Sequence, residues 1–243
     1  TDAANLDAAA RRHIRKLYDD HHLALCGLSG ATHLLDGDQV ERARSRERFK
    51  SYLDLAAELQ HPGECLTVST VSAGRSADWE TVKHELAGIY GELAAYAARR
   101  GVIVGMEPHV GGALYLPEQA LWLIEQVNSP AFSIHFDISH FNVQGLPMQS
   151  VIAELAPHSK HTHVKDERGI YPHHEFLIPG EGDMDYVSYL KGMAQAGYDG
   201  YIAVEISVMV QKRPNYDPLA AATQSYAVLA KAFADAGIER RRE

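Results

Sequence analysis

The sequence is short of cysteine, of basic charge and of long apolar runs, and each shortage closes off a class of protein. Two cysteines cannot staple a small secreted domain. Cys26 and Cys65 each lie in an apolar run that reads as a strand, so both are expected to be buried small hydrophobes of a chain from a reducing cytoplasm. Lys and Arg number 23 against 32 Asp and Glu, and the formal net charge of −9 would repel phosphate backbones and anionic lipid. Nucleic acid and membrane are therefore set aside as partners, short of a local basic groove. No apolar stretch approaches a membrane span, and the opening TDAANLDAAARRHIRKL lacks both the hydrophobic core and the cleavage pattern of a signal peptide. With no low-complexity segment and no Pro/Gly/Ser linker, the chain reads as one domain over residues 1–243.

What the chain does have is an ordinary globular balance, 46% hydrophobic and 23% charged, with 14 histidines as its one unusual feature. Short β-branched runs alternate with longer amphipathic stretches, the pattern of βα units around a parallel sheet. Six strands are expected: Leu23 to Ser29, Cys65 to Val71, Val102 to Glu107, Phe132 to Asp137, Ser159 to Val164 and Tyr201 to Ile206. Between them apolar residues recur at helical spacing, as in Leu86, Ile89, Tyr90, Leu93, Ala94 and Ala97, or Tyr186, Val187, Tyr189, Leu190 and Met193. Asp36-Gly37-Asp38 and Asp78 read as helix entries, and Arg100-Gly101, Asn128-Ser129-Pro130 and Gly197-Tyr198-Asp199-Gly200 as turns.

The fold class is α/β, a (β/α)₈ TIM barrel apparently lacking its first two strands, since eight are needed and the sequence opens in a helix with Leu6, Ala9, Ala10, His13, Ile14 and Leu17. The absent first strand, first helix and second strand amount to about 50 residues. The chain thus reads as N-terminally incomplete; otherwise its barrel is open or closed by a partner, with a homo-oligomer as one form.

Side chains alternate along a strand, and those at the C-terminal end of a barrel strand stand at the mouth where active sites form. Glu107 ends one apolar strand and Asp137 the next. Lys160-His161-Thr162-His163-Val164-Lys165-Asp166 puts His161, His163 and Lys165 on one face, and Glu205 closes the last strand. Any one of these could be a buried polar group satisfied by neighbours. Four at equivalent strand ends are harder to explain that way. Three carboxylates crowded at a mouth would repel one another unless a cation neutralised them. One divalent ion held by Glu107, Asp137, His163 and Glu205 is expected, with Mn²⁺ first, Mg²⁺ beside it, and Co²⁺ or Zn²⁺ as alternatives.

Phe136-Asp137-Ile138-Ser139-His140, His161-Thr162-His163-Val164-Lys165-Asp166, Gly180-Glu181-Gly182-Asp183-Met184-Asp185-Tyr186 and Val204-Glu205 resemble the D-x-x-H, H-x-H-x-K-D, G-x-G-x-x-D/N-aromatic and last-strand glutamate motifs of the xylose-isomerase-like TIM barrels. That family includes ketose 3-epimerases, hydroxypyruvate isomerase, inosose dehydratase, 3-dehydroshikimate dehydratase and, more distantly, endonuclease IV. The likeness runs from Leu23 to about Ala236. It implies that Glu107, Asp137, His163 and Glu205 hold the metal, that Glu107 and Glu205 double as the acid/base pair, and that His140, and His109 beside it, bind substrate hydroxyls. Ketose 3-epimerases carry a glutamate where this chain has Ala113, and an arginine where it has Gly169 with Arg168 adjacent, so simple 3-epimerisation is not the default.

The expected activity is a metal-dependent isomerase or epimerase of a sugar or sugar-like keto compound, taking a proton from beside a carbonyl through a metal-stabilised enediolate. The alternative is a lyase or dehydratase of the same family. An endonuclease IV-like nuclease and a non-catalytic barrel subunit are the remaining readings; the first lacks further strand-end ligands and a basic groove. Lys165, facing inward, is assigned to a substrate oxygen, with pairing to Asp166 or Glu107 as the structural option, and Arg168 to the substrate by its place in the motif. His161 is expected to be a packed interior group, His173 and His174 to be solvent-exposed, and Lys212 and Arg213 to form a solvated basic turn.

Overall fold

The computed structural model describes residues 2–30, 32, 34–71 and 77–240. They fall into two compact units, Thr1–His135 and Phe136–Arg242, the division lying within one strand.

In the first unit, α1 (Ala8–Asp20) precedes β1 (Gly27–Ser29), α2 (Gln39–Leu59), β2 (Thr67–Val71), α3 (Trp79–Ala98), β3 (Ile103–Glu107) and α4 (Pro117–Val127), and β4 (Phe132–Asp137) begins. Its strands pair in parallel in the order β1-β2-β3-β4, with Val71 opposite Glu107 and Gly105 opposite Ser133. Asp38 closes a capping box with Glu41 on α2 and Asp78 caps α3, as their sequence positions require. Leu86, Ile89, Tyr90, Leu93, Ala94 and Ala97 are the buried face of α3, as their spacing dictates. Every residue of β3 is buried, so its C-terminal Glu107 is a carboxylate at the end of an otherwise apolar stave.

The second unit completes β4 and continues through α5 (Ser139–Asn142), α6 (Met148–Leu155), β5 (Ser159–Val164), an antiparallel ribbon of β6 (Asp166–Arg168) and β7 (Glu175–Leu177), α7 (Tyr186–Gln195), β8 (Ile202–Val204), α8 (Val208–Gln211) and α9 (Pro218–Ala236). β5 and β8 pair in parallel, His163 opposite Ala203, and the amide of Glu205 extends the ladder to the Val164 carbonyl at 2.9 Å. α7 packs between α6 and α9.

All six expected strands form. The bounds of the fourth and fifth are as expected, and the first, second, third and sixth are shorter. Cys26 and Cys65 correct the sequence reading: Cys26 is half-buried and Cys65 exposed. Each precedes the residue at which pairing starts, Gly27 or Thr67, and so stands outside the pleat that would have covered it. No helix among the described residues is long and apolar enough to cross a membrane.

Candidate active site

The second unit gathers its titratable side chains at the C-terminal ends of its strands. Asp137, last in β4, is fully buried. Its Oδ1 accepts from the Ser139 amide at 3.0 Å and the Ser139 hydroxyl at 2.6 Å, and its Oδ2 accepts from Lys165 Nζ at 2.6 Å. Burial alone would raise this carboxyl. The Lys165 ammonium, His140 and His163, together with the Lys165 hydrogen bond, outweigh it and hold Asp137 far below the usual carboxylate range.

Lys165 is 2% exposed and also donates to Glu205 Oε2, so one ammonium is shared by two carboxylates. His140 Nε2 lies 3.4 Å from Nζ, and the Phe176 ring centroid 4.7 Å from it. Of the structural options for Lys165, pairing with Asp166 does not form: the Asp166 carboxylate is occupied by backbone amides, as described below.

His163 lies beside this pair, with a ligand atom within 4.8 Å of one on Asp137. Burial lowers its pKa more than Asp137 and Glu205 raise it, so the ring is neutral at pH 7 and can offer a lone pair. His161, one step deeper, is buried and pushed down to about 4, first by burial and then by His163, whose ring it meets edge-on at 5.3 Å. It is a packed interior group, as its position implied.

Two sequence motifs prove to be one structural piece. Asp166 Oδ1 accepts from the amides of Glu167 and Met184, each at 3.0 Å, and Oδ2 accepts from the Gly180 amide at 2.7 Å. The loop of Gly180 to Tyr186 is thereby clasped to the ribbon, and Asp185 caps α7 through the Ser188 amide. A Cβ on Gly182 would collide with the Glu167 carbonyl and with Asp166 Oδ1. Gly182→Ala is expected to cost about 1–3 kcal/mol, read as a lower urea midpoint. An unchanged midpoint would show that the clasp gives way freely.

The β6–β7 ribbon was not anticipated, and it moves several residues. His174, expected in solvent, is half-buried against Tyr171 at 5.8 Å and Phe176 at 4.8 Å between ring centroids. His173 is exposed as expected. Arg168 donates to the Glu181 carbonyl and stands 4.0 Å from Asp183, bracing the clasped loop. Arg213 pairs with Glu181 at 2.8 Å, so this turn is tethered rather than merely solvated, while Lys212 is exposed. Gly169 has φ +79° with the His173 carbonyl 2.7 Å from where a Cβ would lie, which excludes an arginine there on backbone grounds.

Glu167 is a polar group that sequence reasoning passed over. It is buried, its Oε1 accepts from Asn142 Nδ2 at 2.7 Å, and its carboxyl is pushed up to about 8, chiefly by burial and further by Asp137 and Asp166. Its one sequence signal was its place two residues beyond Lys165.

In the first unit, Glu107 is 7% exposed at the end of β3. His109 follows in a loop held by its own amide to the Leu114 carbonyl, with ring Nδ1 2.8 Å from the Val110 carbonyl. Ala113, where ketose 3-epimerases carry a glutamate, is a buried methyl group.

Residues 2–232 match the family described as xylose isomerase-like TIM barrel, and the chain belongs to it. It is 27% identical over 220 residues to fructoselysine 3-epimerase of Escherichia coli O157:H7, covering 87% of this chain and 78% of that one. It is 23% identical over 239 residues to inosose dehydratase of Yersinia enterocolitica, covering 87% and 76%. Among solved structures, the IolI protein with a bound zinc atom superposes with a TM-score of 0.75 at 19% identity over 93% of this chain and 81% of that one. Relatives of this chain are thus sugar epimerases and inosose dehydratases.

Proposed function

We propose that this chain is a divalent-metal-dependent isomerase or epimerase of a sugar or sugar-like keto compound. The observation that carries the reading is the Lys165 ammonium, buried between the carboxylates of Asp137 and Glu205 with neutral His163 beside them. Two carboxylates and an imidazole already gathered about a cation form a donor set for a hard or borderline divalent ion, which fits Mn²⁺ first and Mg²⁺, Co²⁺ or Zn²⁺ as alternatives. Asp137, His163 and Glu205 are assigned as ligands, and Glu107 as the fourth on the strength of its buried place at the end of β3 and the family pattern.

When bound, the ion polarises a carbonyl oxygen and lowers the cost of removing the neighbouring proton. Glu205, the more exposed carboxylate of the Lys165 pair, takes or returns that proton, with Glu107 as its counterpart. Lys165 and His140 hold substrate oxygens, and the Phe176 ring, with the Lys165 ammonium over it, excludes water beside them. His109 and Arg168 are assigned to the outer part of the substrate. The partner is a small carbohydrate-like molecule.

A second reading, a lyase or dehydratase, rests on Ala113 standing where the epimerases have a glutamate and on the inosose dehydratase relative. The same base and enediolate would serve it, with a β-leaving group lost in place of proton return.

The test is incubation of protein loaded with Mn²⁺ in D₂O with a panel of ketoses, inososes and keto-glycosides, reading deuterium into carbon. Exchange without net loss of water supports the isomerase reading, and dehydrated product the lyase. Absence of both exchange and dehydrated product across the panel would refute both readings.

A further inference from the structure

We infer that Glu167 is a specificity-determining residue whose free carboxyl oxygen hydrogen-bonds a substrate hydroxyl lying beyond the reacting carbons; this rests on the proposed function and deepens it. The side chain is 6% exposed, and while Oε1 is held by Asn142, Oε2 is buried with no hydrogen-bond partner. A buried carboxyl oxygen left unpaired forfeits its hydration without a compensating hydrogen bond, so a polar partner outside the fold is the natural account of its retention.

The ribbon says where that oxygen faces. Glu167 stands directly opposite Phe176 in the antiparallel register, and directly opposed residues share a face of the pair. The Phe176 ring rests on Lys165 Nζ and meets the His140 ring at 5.2 Å. Glu167 therefore lies on the face of the ribbon that walls the Asp137, His140 and Lys165 group. Asn142, which holds it, is two residues beyond His140 on the same short helix. The hydroxyl of Tyr186 is a second buried oxygen without a partner, close enough to Asp166, Glu167 and Asp137 for their charges to add to the burial that raises its pKa.

The groups facing Glu167 are Asp137, Asp166, Lys165, Asn142 and Tyr186. Burial among them keeps the carboxyl largely protonated at neutral pH, so Oε2 can donate. The ligand it suits is a polyol-like chain whose hydroxyl accepts that hydrogen bond while carrying no negative charge of its own.

The experiment compares Glu167→Gln and Glu167→Leu, loaded with Mn²⁺, in the deuterium-exchange assay with D-fructose, D-tagatose and 2-keto-myo-inositol as probes. Glu167→Leu is expected to raise KM for the exchanging probe by about tenfold or more, with kcat changed less than about threefold. Glu167→Gln, whose amide donates from the same place, should stay within about threefold of wild type in both. Thermal unfolding checks that the variants fold, and a KM for Glu167→Leu within threefold of wild type overturns the inference, leaving Oε2 as a structural group bridged by trapped water. Wild-type protein that binds Mn²⁺ yet exchanges none of the probes refutes the proposed function, and this inference with it.

Discussion

Lys165→Met is expected to destabilise the metal-free protein by about 3–5 kcal/mol at pH 7, the cost of leaving a buried charge uncompensated. Asp137 is fully buried, and the Lys165 ammonium meets its carboxylate at 2.6 Å. The sign of the pH dependence should invert. In wild type the Asp137 pKa is depressed on folding, so its contribution is fully present above the unfolded value of about 4 and is lost as pH falls towards the folded value. Without the ammonium, burial raises the folded pKa above the unfolded one. The variant then gains stability relative to wild type as pH falls from 7 towards about 4. Urea unfolding at several pH values reads both slopes, and parallel slopes would refute the role assigned to Lys165. Added Mn²⁺ should recover much of the loss, because the divalent ion supplies the positive charge that was removed.

Glu205→Gln is expected to lower exchange by about 10²–10⁴-fold while leaving the fold intact. The amide preserves volume and keeps an oxygen for Lys165 but has no lone pair basic enough to take a carbon-bound proton. The Glu205 side chain is 39% exposed, so its ion pair contributes little to stability and the unfolding midpoint should shift by less than about 1 kcal/mol. Metal content of the same preparation separates the two roles of the residue. Lost exchange at full metal occupancy identifies the base, lost exchange with lost metal identifies a ligand alone, and activity like wild type removes Glu205 from the mechanism.

The parts legible in the sequence were those whose signal is local. β4 and β5 are six-residue strands with apolar alternation and sharp ends, and α3 is a long amphipathic helix with an aspartate at its entry. The strand-end positions of Asp137 and Glu107 follow from the same pattern. What was hidden depends on contacts remote in sequence. Asp166-Glu167-Arg168 is wholly charged and carries no apolar alternation, yet it pairs with Glu175-Phe176-Leu177 across a connection that Gly169 enters at positive φ. Strands of three residues carry too little periodicity to be seen. The ribbon in turn determines His174 and Glu167, so the one was misplaced and the other overlooked. Cys65 failed for a simpler reason: the apolar run it belongs to begins two residues before the strand does, at Thr67.

The grip of Asp166 on the amides of residues 180 and 184 has a consequence for how such chains can vary. An exchange of segments between related proteins that splits the two stretches should remove the two amide bonds by which Asp166 fastens them, even where every group that meets the substrate is retained. Recombination points belong before residue 166 or after residue 184. A newly acquired substrate preference is then expected to arrive as a joint replacement of both stretches rather than as a change in either.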